Sequence, residues 1–240
     1  CYVLIRFSLY FFNNFMKGKG KMSKKGKFIV LEGGEGSGKT SILKFLKEVF
    51  GNSENIVFTR EPGGTSIGEK IRNLLMDKNN KDMFPITELF LFCGARAQHI
   101  EELIIPSLNS GKSVVSDRFD TSTMAYQLFG RNKMELLKDF LALNSIAKKE
   151  VQPDAVIWLD VDPSVGLLRK EKSQEGKTTR FDEEKLEFHR KVRKGFEVCF
   201  EKSNIDSPIS TIWHRIDTNN ISLDDAKKAT LHLVEKILDS

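Results

Sequence analysis

The sequence predicts an α/β fold in which a five-stranded parallel sheet carries helices on both faces, and three observations lead there. Five short apolar runs rich in β-branched residues alternate with longer amphipathic stretches, the order that a parallel sheet with crossover helices requires. A glycine-rich loop, Gly33-x-x-x-x-Gly38-Lys39-Thr40, sits between the first run and the first amphipathic stretch. That is where a strand hands over to a helix in phosphate-binding proteins. Finally, a chain of 240 residues with 40% hydrophobic content suffices for one substantial core.

The strands are expected at 27–32 (KFIVLE), 55–59 (NIVFT), 112–117 (KSVVSD), 154–161 (DAVIWLDV) and 211–217 (TIWHRID). Their length and composition suit strands buried on both faces. Ile42, Leu46 and Val49 recur at turn spacing before Gly51 and define the first helix. Ser66 with Glu69 reads as a capping box ahead of Ile67, Ile71 and Leu75. Further helices are expected over 87–108, 121–129, 134–148, 182–202 and 222–238. The segment 169–180, RKEKSQEGKTTR, is polar and basic without apolar periodicity, and on composition it is a solvated loop. No repeat or low-complexity tract interrupts the pattern, and ligands of such a sheet sit beyond the carboxyl ends of its strands.

Composition narrows the function classes. The formal charge is +5, but residues 1–21 hold Arg6, Lys17, Lys19 and Lys21 and no acid, so the remainder is nearly neutral. This removes the main support for nucleic acid as a partner. The apolar run CYVLIRFSLYFF is broken by Arg6, too short for a membrane span and not followed by a small-residue cleavage pattern. Residues 1–21 are therefore expected to be a leader outside the fold, translated upstream of a start at Met22 or Met16, with 22–240 forming one domain. Cys1, Cys93 and Cys199 are widely spaced, which suits a reducing, cytoplasmic setting and offers no metal-site spacing.

The loop Gly33, Gly34, Glu35, Gly36, Ser37, Gly38, Lys39 and Thr40 carries the chemistry. Its glycines let successive backbone N–H groups point at phosphates, the helix start adds its positive end, Lys39 reaches the outer phosphates and Thr40 ligates magnesium. The alternative is a plain glycine-rich turn entering a helix. Asp117, at the end of VVSDRF, is placed to approach the same metal. Its neighbour Arg118 is either a structural ion pair or a phosphate clamp. Glu35 puts an acid inside an anion-binding loop; because the loop binds through its backbone, that side chain is free to face another ligand.

A second ligand is suggested by the charged turn FTREPGGTSIGEKIR, 58–72, although Arg60 and Glu61 can also pair with each other. Phe92 and Arg96 lie four apart in LFLFCGARAQH, a ring to stack on a base and a donor fork for its edge, or else an ordinary core and surface residue. Thr123, Tyr126 and Gln127 add polar groups on a short helix. Together, FIVLEGGEGSGKT, TREPGGT, LFCGARAQH, SDRFDTSTMAYQ and RFDEEKLEFHRKVRKGF resemble bacterial thymidylate kinase, from about Lys27 to the C-terminus.

The resemblance implies a phosphate-loop nucleoside monophosphate kinase fold with a basic lid at about 169–180, ATP and magnesium as cofactors, and thymidine monophosphate as acceptor. It implies that Phe92 stacks the base, Arg96 meets a ring carbonyl, Thr123 and Gln127 lie near the base edge, and Arg72 lines the base end. Arg60, with Glu61 beside it in the turn, and Arg118 hold the acceptor phosphate, Tyr126 excludes a 2′-hydroxyl, and Glu35 accepts from the 3′-hydroxyl. Catalytic charge is assigned to Lys39, Arg118 and the lid arginines Arg169 and Arg180, with Lys172 and Lys177 as helpers. Thr179, where relatives carry an acid, and the excess of lysine over arginine depart from the family pattern. The resemblance also implies a homodimer, for which ITELFLFCGARAQHIEELI is the candidate surface. Competing readings are another nucleoside monophosphate kinase, a nucleotide-hydrolysing switch protein and an inactive nucleotide-binding module.

Overall fold

A computed structural model describes residues 25–173, 179–205 and 211–240. The leader at 1–21 and Lys177 lie outside the described residues. Five strands, β1 (Phe28–Gly33), β2 (Ile56–Arg60), β3 (Ser113–Asp117), β4 (Ala155–Asp160) and β5 (Ile212–Asp217), form one sheet in the order β2-β3-β1-β4-β5. Every pairing is parallel. The helices are α1 (Lys39–Phe50), α2 (Ser66–Met76), α3 (Pro85–His99), α4 (Ile105–Asn109), α5 (Asp120–Thr123), α6 (Leu137–Lys148), α7 (Pro163–Ser173), α8 (Leu186–Ile205) and α9 (Leu223–Asp239). Wider π-helical turns join α3 to α4 at Ile100–Ile104 and extend α5 over Met124–Gly130.

β1 sits at the centre, and its side chains alternate between two cores. Phe28 and Val30 pack with Ile100, Ile104, Val114 and Val156 on one face. Ile29 and Leu31 pack with Ile42, Leu46, Ile157 and Val234 on the other. β1 and β4 are buried throughout, as expected of doubly covered strands. β2 and β5 are not, because the strand order leaves them at the edges, half-buried and largely exposed respectively.

Two local expectations need correction. The cap of α2 is Thr65, whose hydroxyl accepts from the Gly68 amide at 3.0 Å, while Glu69 turns back to the Gly64 amide at 3.0 Å. The cap thus lies one residue earlier than expected, and Glu69 closes on the residue before it, so no capping box forms at Ser66. Second, the segment read as a loop begins as helix: α7 starts at Pro163 and runs through Ser173, and Asp162 accepts from the Ser164 amide at 2.8 Å as an N-terminal cap.

The carboxyl ends of β1, β2 and β3 converge on one edge. Register places Leu31 and Arg60 each opposite Asp117. The phosphate loop, the 61–65 turn and the Arg118 corner therefore share one cleft.

Candidate active site

Gly38 turns the chain into α1 with φ +90°, a conformation that a side chain would strain. Lys39, buried on α1, donates back to the Gly33 carbonyl at 2.8 Å. Burial and the Arg118 charge pull its ammonium down to about 8, against the pull of Asp117, Glu35 and Glu32. Thr40 is exposed on the first turn. One oxygen of Asp117, Oδ1, is buried and unpartnered among the described residues, as is the Ser37 hydroxyl.

Arg118 is the junction of the site. It adopts φ +72°, rare for a residue with a side chain. Its own amide donates to the Leu31 carbonyl at 2.9 Å, and Glu32 accepts from the next amide, Phe119, at 3.0 Å and from Ser122 at 3.1 Å. The guanidinium donates to the Gly33 carbonyl at 2.9 Å, the Ser122 hydroxyl at 3.0 Å and the Tyr126 hydroxyl at 3.1 Å. It stands 3.6 Å from Glu35. Glu32 is fully buried, and burial drives its carboxyl up to about 7 against the pull of Arg118 and Ser122. This brace leaves no signature in the sequence, since one acid at the end of an apolar strand looks ordinary.

Glu35 does face away from the loop backbone. Its Oε1 accepts from the Tyr126 hydroxyl at 3.4 Å, and its Oε2 accepts from Lys170 at 2.7 Å. Burial alone would raise this carboxyl; Arg118, Lys170 and Lys39 outweigh it and hold the pKa down to about 2.

At the other end of the cleft, Glu88, Phe92 and Arg96 succeed one another at one-turn spacing on α3. Arg96 is 1% exposed and donates to Glu61 at 2.9 Å, Thr123 at 2.8 Å and Asn144 at 3.1 Å. Glu61 also pairs with His99 at 3.0 Å and is itself buried. Glu61 is therefore a brace for Arg96 within the interior, not a surface toward a ligand. It does not pair with Arg60, which instead meets Glu69 at 2.8 Å. Gln127 donates to Glu88 at 2.9 Å, leaving its Oε1 a buried acceptor without a partner among the described residues. Phe92 is half-buried, with its ring centroid 6.3 Å from Phe181, whose ring lies 5.9 Å from Tyr126. Phe181 thus joins the site, brought there by the fold from a segment whose sequence carries no ligand-binding signature.

Three assigned residues are bonded to groups of the protein itself. Arg72 donates to the Pro62 carbonyl at 2.9 Å. Arg169 donates to the carbonyls of Thr218 and Asn219, each at 2.9 Å. Arg180 is buried and bonded to Glu88, a carboxylate that also receives Arg131 at 3.2 Å. Buried Glu88 needs a cation, and Arg180 supplies it 92 positions away in sequence.

A phosphate loop between β1 and α1 of a parallel sheet in the order β2-β3-β1-β4-β5 is the fold of the phosphate-loop nucleoside monophosphate kinases. The family model of thymidylate kinase matches residues 31–210, and the chain belongs to that family. It is 38% identical over 200 residues to the thymidylate kinase of Clostridium novyi (strain NT), covering 80% of this chain and 97% of that relative. It is 42% identical over 226 residues to that of Protochlamydia amoebophila (strain UWE25), covering 90% and 96%. The crystal structure of thymidylate kinase from Ehrlichia chaffeensis superposes with a TM-score of 0.65 at 30% identity, over 88% of this chain and 99% of that one.

Proposed function

We propose that this kinase transfers the γ-phosphoryl group of ATP to thymidine monophosphate, giving thymidine diphosphate and ADP. The observation that carries the choice of base is Gln127. Its amide nitrogen is committed to the Glu88 carboxylate, which fixes the orientation of the amide. The remaining buried acceptor calls for a ring N–H. Thymine presents one at N3, whereas cytosine presents an acceptor there. Phe92 on the same helix face supplies the stacking ring, Arg96 a donor for a ring carbonyl, and Thr123 lines the base edge. Arg60 and Arg118 meet the acceptor phosphate, Arg72 lines the base end, and Tyr126 occupies the space of a 2′-hydroxyl.

The nucleophile is a phosphate oxygen, ionised at neutral pH, so no general base is needed. What the chain must supply is alignment and positive charge. The backbone N–H groups of 33–40 and Lys39 cradle the donor phosphates, and Arg118 lies between donor and acceptor. Asp117 Oδ1 and the Thr40 hydroxyl fit a magnesium site, because a buried unpaired carboxylate oxygen at a strand end suits a hard cation. When bound, that ion neutralises charge on the donor phosphates. Glu35, ionised and directed across the cleft, accepts from the acceptor's 3′-hydroxyl.

A coupled assay with each nucleoside monophosphate in turn tests the reading. Thymidine monophosphate is expected to exceed deoxyuridine monophosphate in kcat/KM by about tenfold or more, the worth of one methyl group in a fitted pocket. A preference for cytidine or guanosine monophosphate rejects the assignment, and rapid ATP hydrolysis without acceptor favours a switch protein.

The same reading makes residues 22–240 one catalytic domain and places it in the cytoplasm. Free Cys93 and Cys199 fit a reducing compartment. It also makes the protein a homodimer. Phe90 on α3 and Leu141 and Ile146 on α6 are 53%, 53% and 76% exposed, on two helices that pack together. Sedimentation velocity is expected to give twice the chain mass, and Phe90→Glu is expected to return the monomer.

A further inference from the structure

α7 is fastened to the phosphate loop by backbone. A Cβ on Gly36 would lie 1.9 Å from the Gly166 carbonyl oxygen, and one on Gly166 would lie 2.2 Å from the Glu35 carbonyl oxygen. Nothing larger than hydrogen fits at either position, so the loop and the first turn of α7 abut directly. One turn on, at i+4 from Gly166, the helix delivers Lys170 to Glu35 Oε2 at 2.7 Å. Lys170 also bonds Asp182, which is itself fixed by the Thr179 amide at 2.6 Å. The two arginines assigned to the lid, Arg169 and Arg180, are committed elsewhere, to the carbonyls of Thr218 and Asn219 and to Glu88.

We propose that Lys170 is a resident positioning residue for acceptor recognition: held by α7, it fixes Glu35 through Oε2 and so presents Oε1 to the acceptor's 3′-hydroxyl. The inference rests on the reading of Glu35 given above. A carboxylate with one oxygen held by an ammonium has one rotational choice left, and here that choice aims Oε1 at the side of the cleft formed by Tyr126 and Arg118. Burial opposes the charge on Lys170, but Glu35 and Asp182 more than compensate and raise its pKa, so the cation stays charged across the working range. In this arrangement the cation is in place before substrate arrives.

The test compares wild type, Lys170→Ala and Lys170→Arg with thymidine monophosphate and with its 3′-deoxy analogue. With thymidine monophosphate, Lys170→Ala is expected to raise the acceptor KM about tenfold, the loss of one charge-assisted contact, with the ATP KM unchanged. Lys170→Arg is expected to restore most of it. With the 3′-deoxy analogue, wild type and Lys170→Ala are expected to share one KM, because the hydroxyl through which Lys170 acts is missing. An unchanged acceptor KM in Lys170→Ala, an equal rise with both acceptors, or a rise in ATP KM alone overturns the proposal. Thermal melting of the same variants separates a folding loss from these outcomes. Activity of wild type on thymidine monophosphate in the same assay reports the catalytic assignment independently.

Discussion

Replacing Arg118 by Ala is expected to lower kcat/KM for thymidine monophosphate by about a thousandfold, the loss seen when a preorganised cation at a transferring phosphoryl is removed. The size follows from the number of tasks on one side chain. Its guanidinium donates to the Gly33 carbonyl, to Ser122 and to Tyr126, and it stands 3.6 Å from Glu35. It also packs 4.9 Å over the Tyr126 ring. Loss of the fork thus frees the phosphate loop, the sugar-side tyrosine and the acid together. Lys at this position keeps a charge but offers one nitrogen in place of the two that reach Gly33, Ser122 and Tyr126, so Arg118→Lys is expected to recover only part of the rate. The backbone offers an internal control. At φ +72° an Ala is strained and a Gly is not, so Arg118→Gly is expected to melt above Arg118→Ala, by about 1 kcal/mol, while both lack activity. Activity in Arg118→Ala within threefold of wild type sinks the central role given to this residue.

The strands were readable because parallel strands buried on both faces leave unbroken apolar runs, and β1 and β4 fit that description residue by residue. α7 was not, for a physical reason. Its described buried residues are Pro163 and Gly166, so no apolar stripe marks it. What holds it is backbone contact with the phosphate loop, which leaves two glycines in the sequence and no periodicity. The Asp162–Pro163 start was a legible cap that the charge of the following residues obscured. In the site, the same division holds. Residues at strand ends, such as Asp117 and Arg118, inherit their place from the sheet and could be read from motif and position. Residues whose meaning depends on a distant partner could not. Arg180 looked like a lid cation because its partner Glu88 belongs to another helix, and Glu61 looked like a surface charge because Arg96 and His99 reach it only in the fold.

Glu61→Ala is expected to cost about 3–5 kcal/mol of stability, because it removes the anion from a buried pair and leaves the cation in place. Both Glu61 oxygens are in use, one to Arg96 and one to His99, and these partners are 1% and 0% exposed. Arg96 is almost wholly withdrawn from solvent, so hydration does little to replace the lost charge. Asp120, which also attracts Arg96, remains and favours the lower end of that range. For a chain of this size the loss corresponds to a melting point lower by roughly 6–20 °C. The neighbouring residue should behave in the opposite way. Arg60 meets Glu69 with half of its side chain in solvent, and exposed pairs of this kind contribute about 0–1 kcal/mol. Arg60→Ala is therefore expected to leave the melting point nearly unchanged and to raise the acceptor KM. Melting curves and steady-state kinetics on the two variants check both halves. A stable Glu61→Ala with a raised acceptor KM would move Glu61 out of the interior brace and onto the ligand, as the charged turn first suggested.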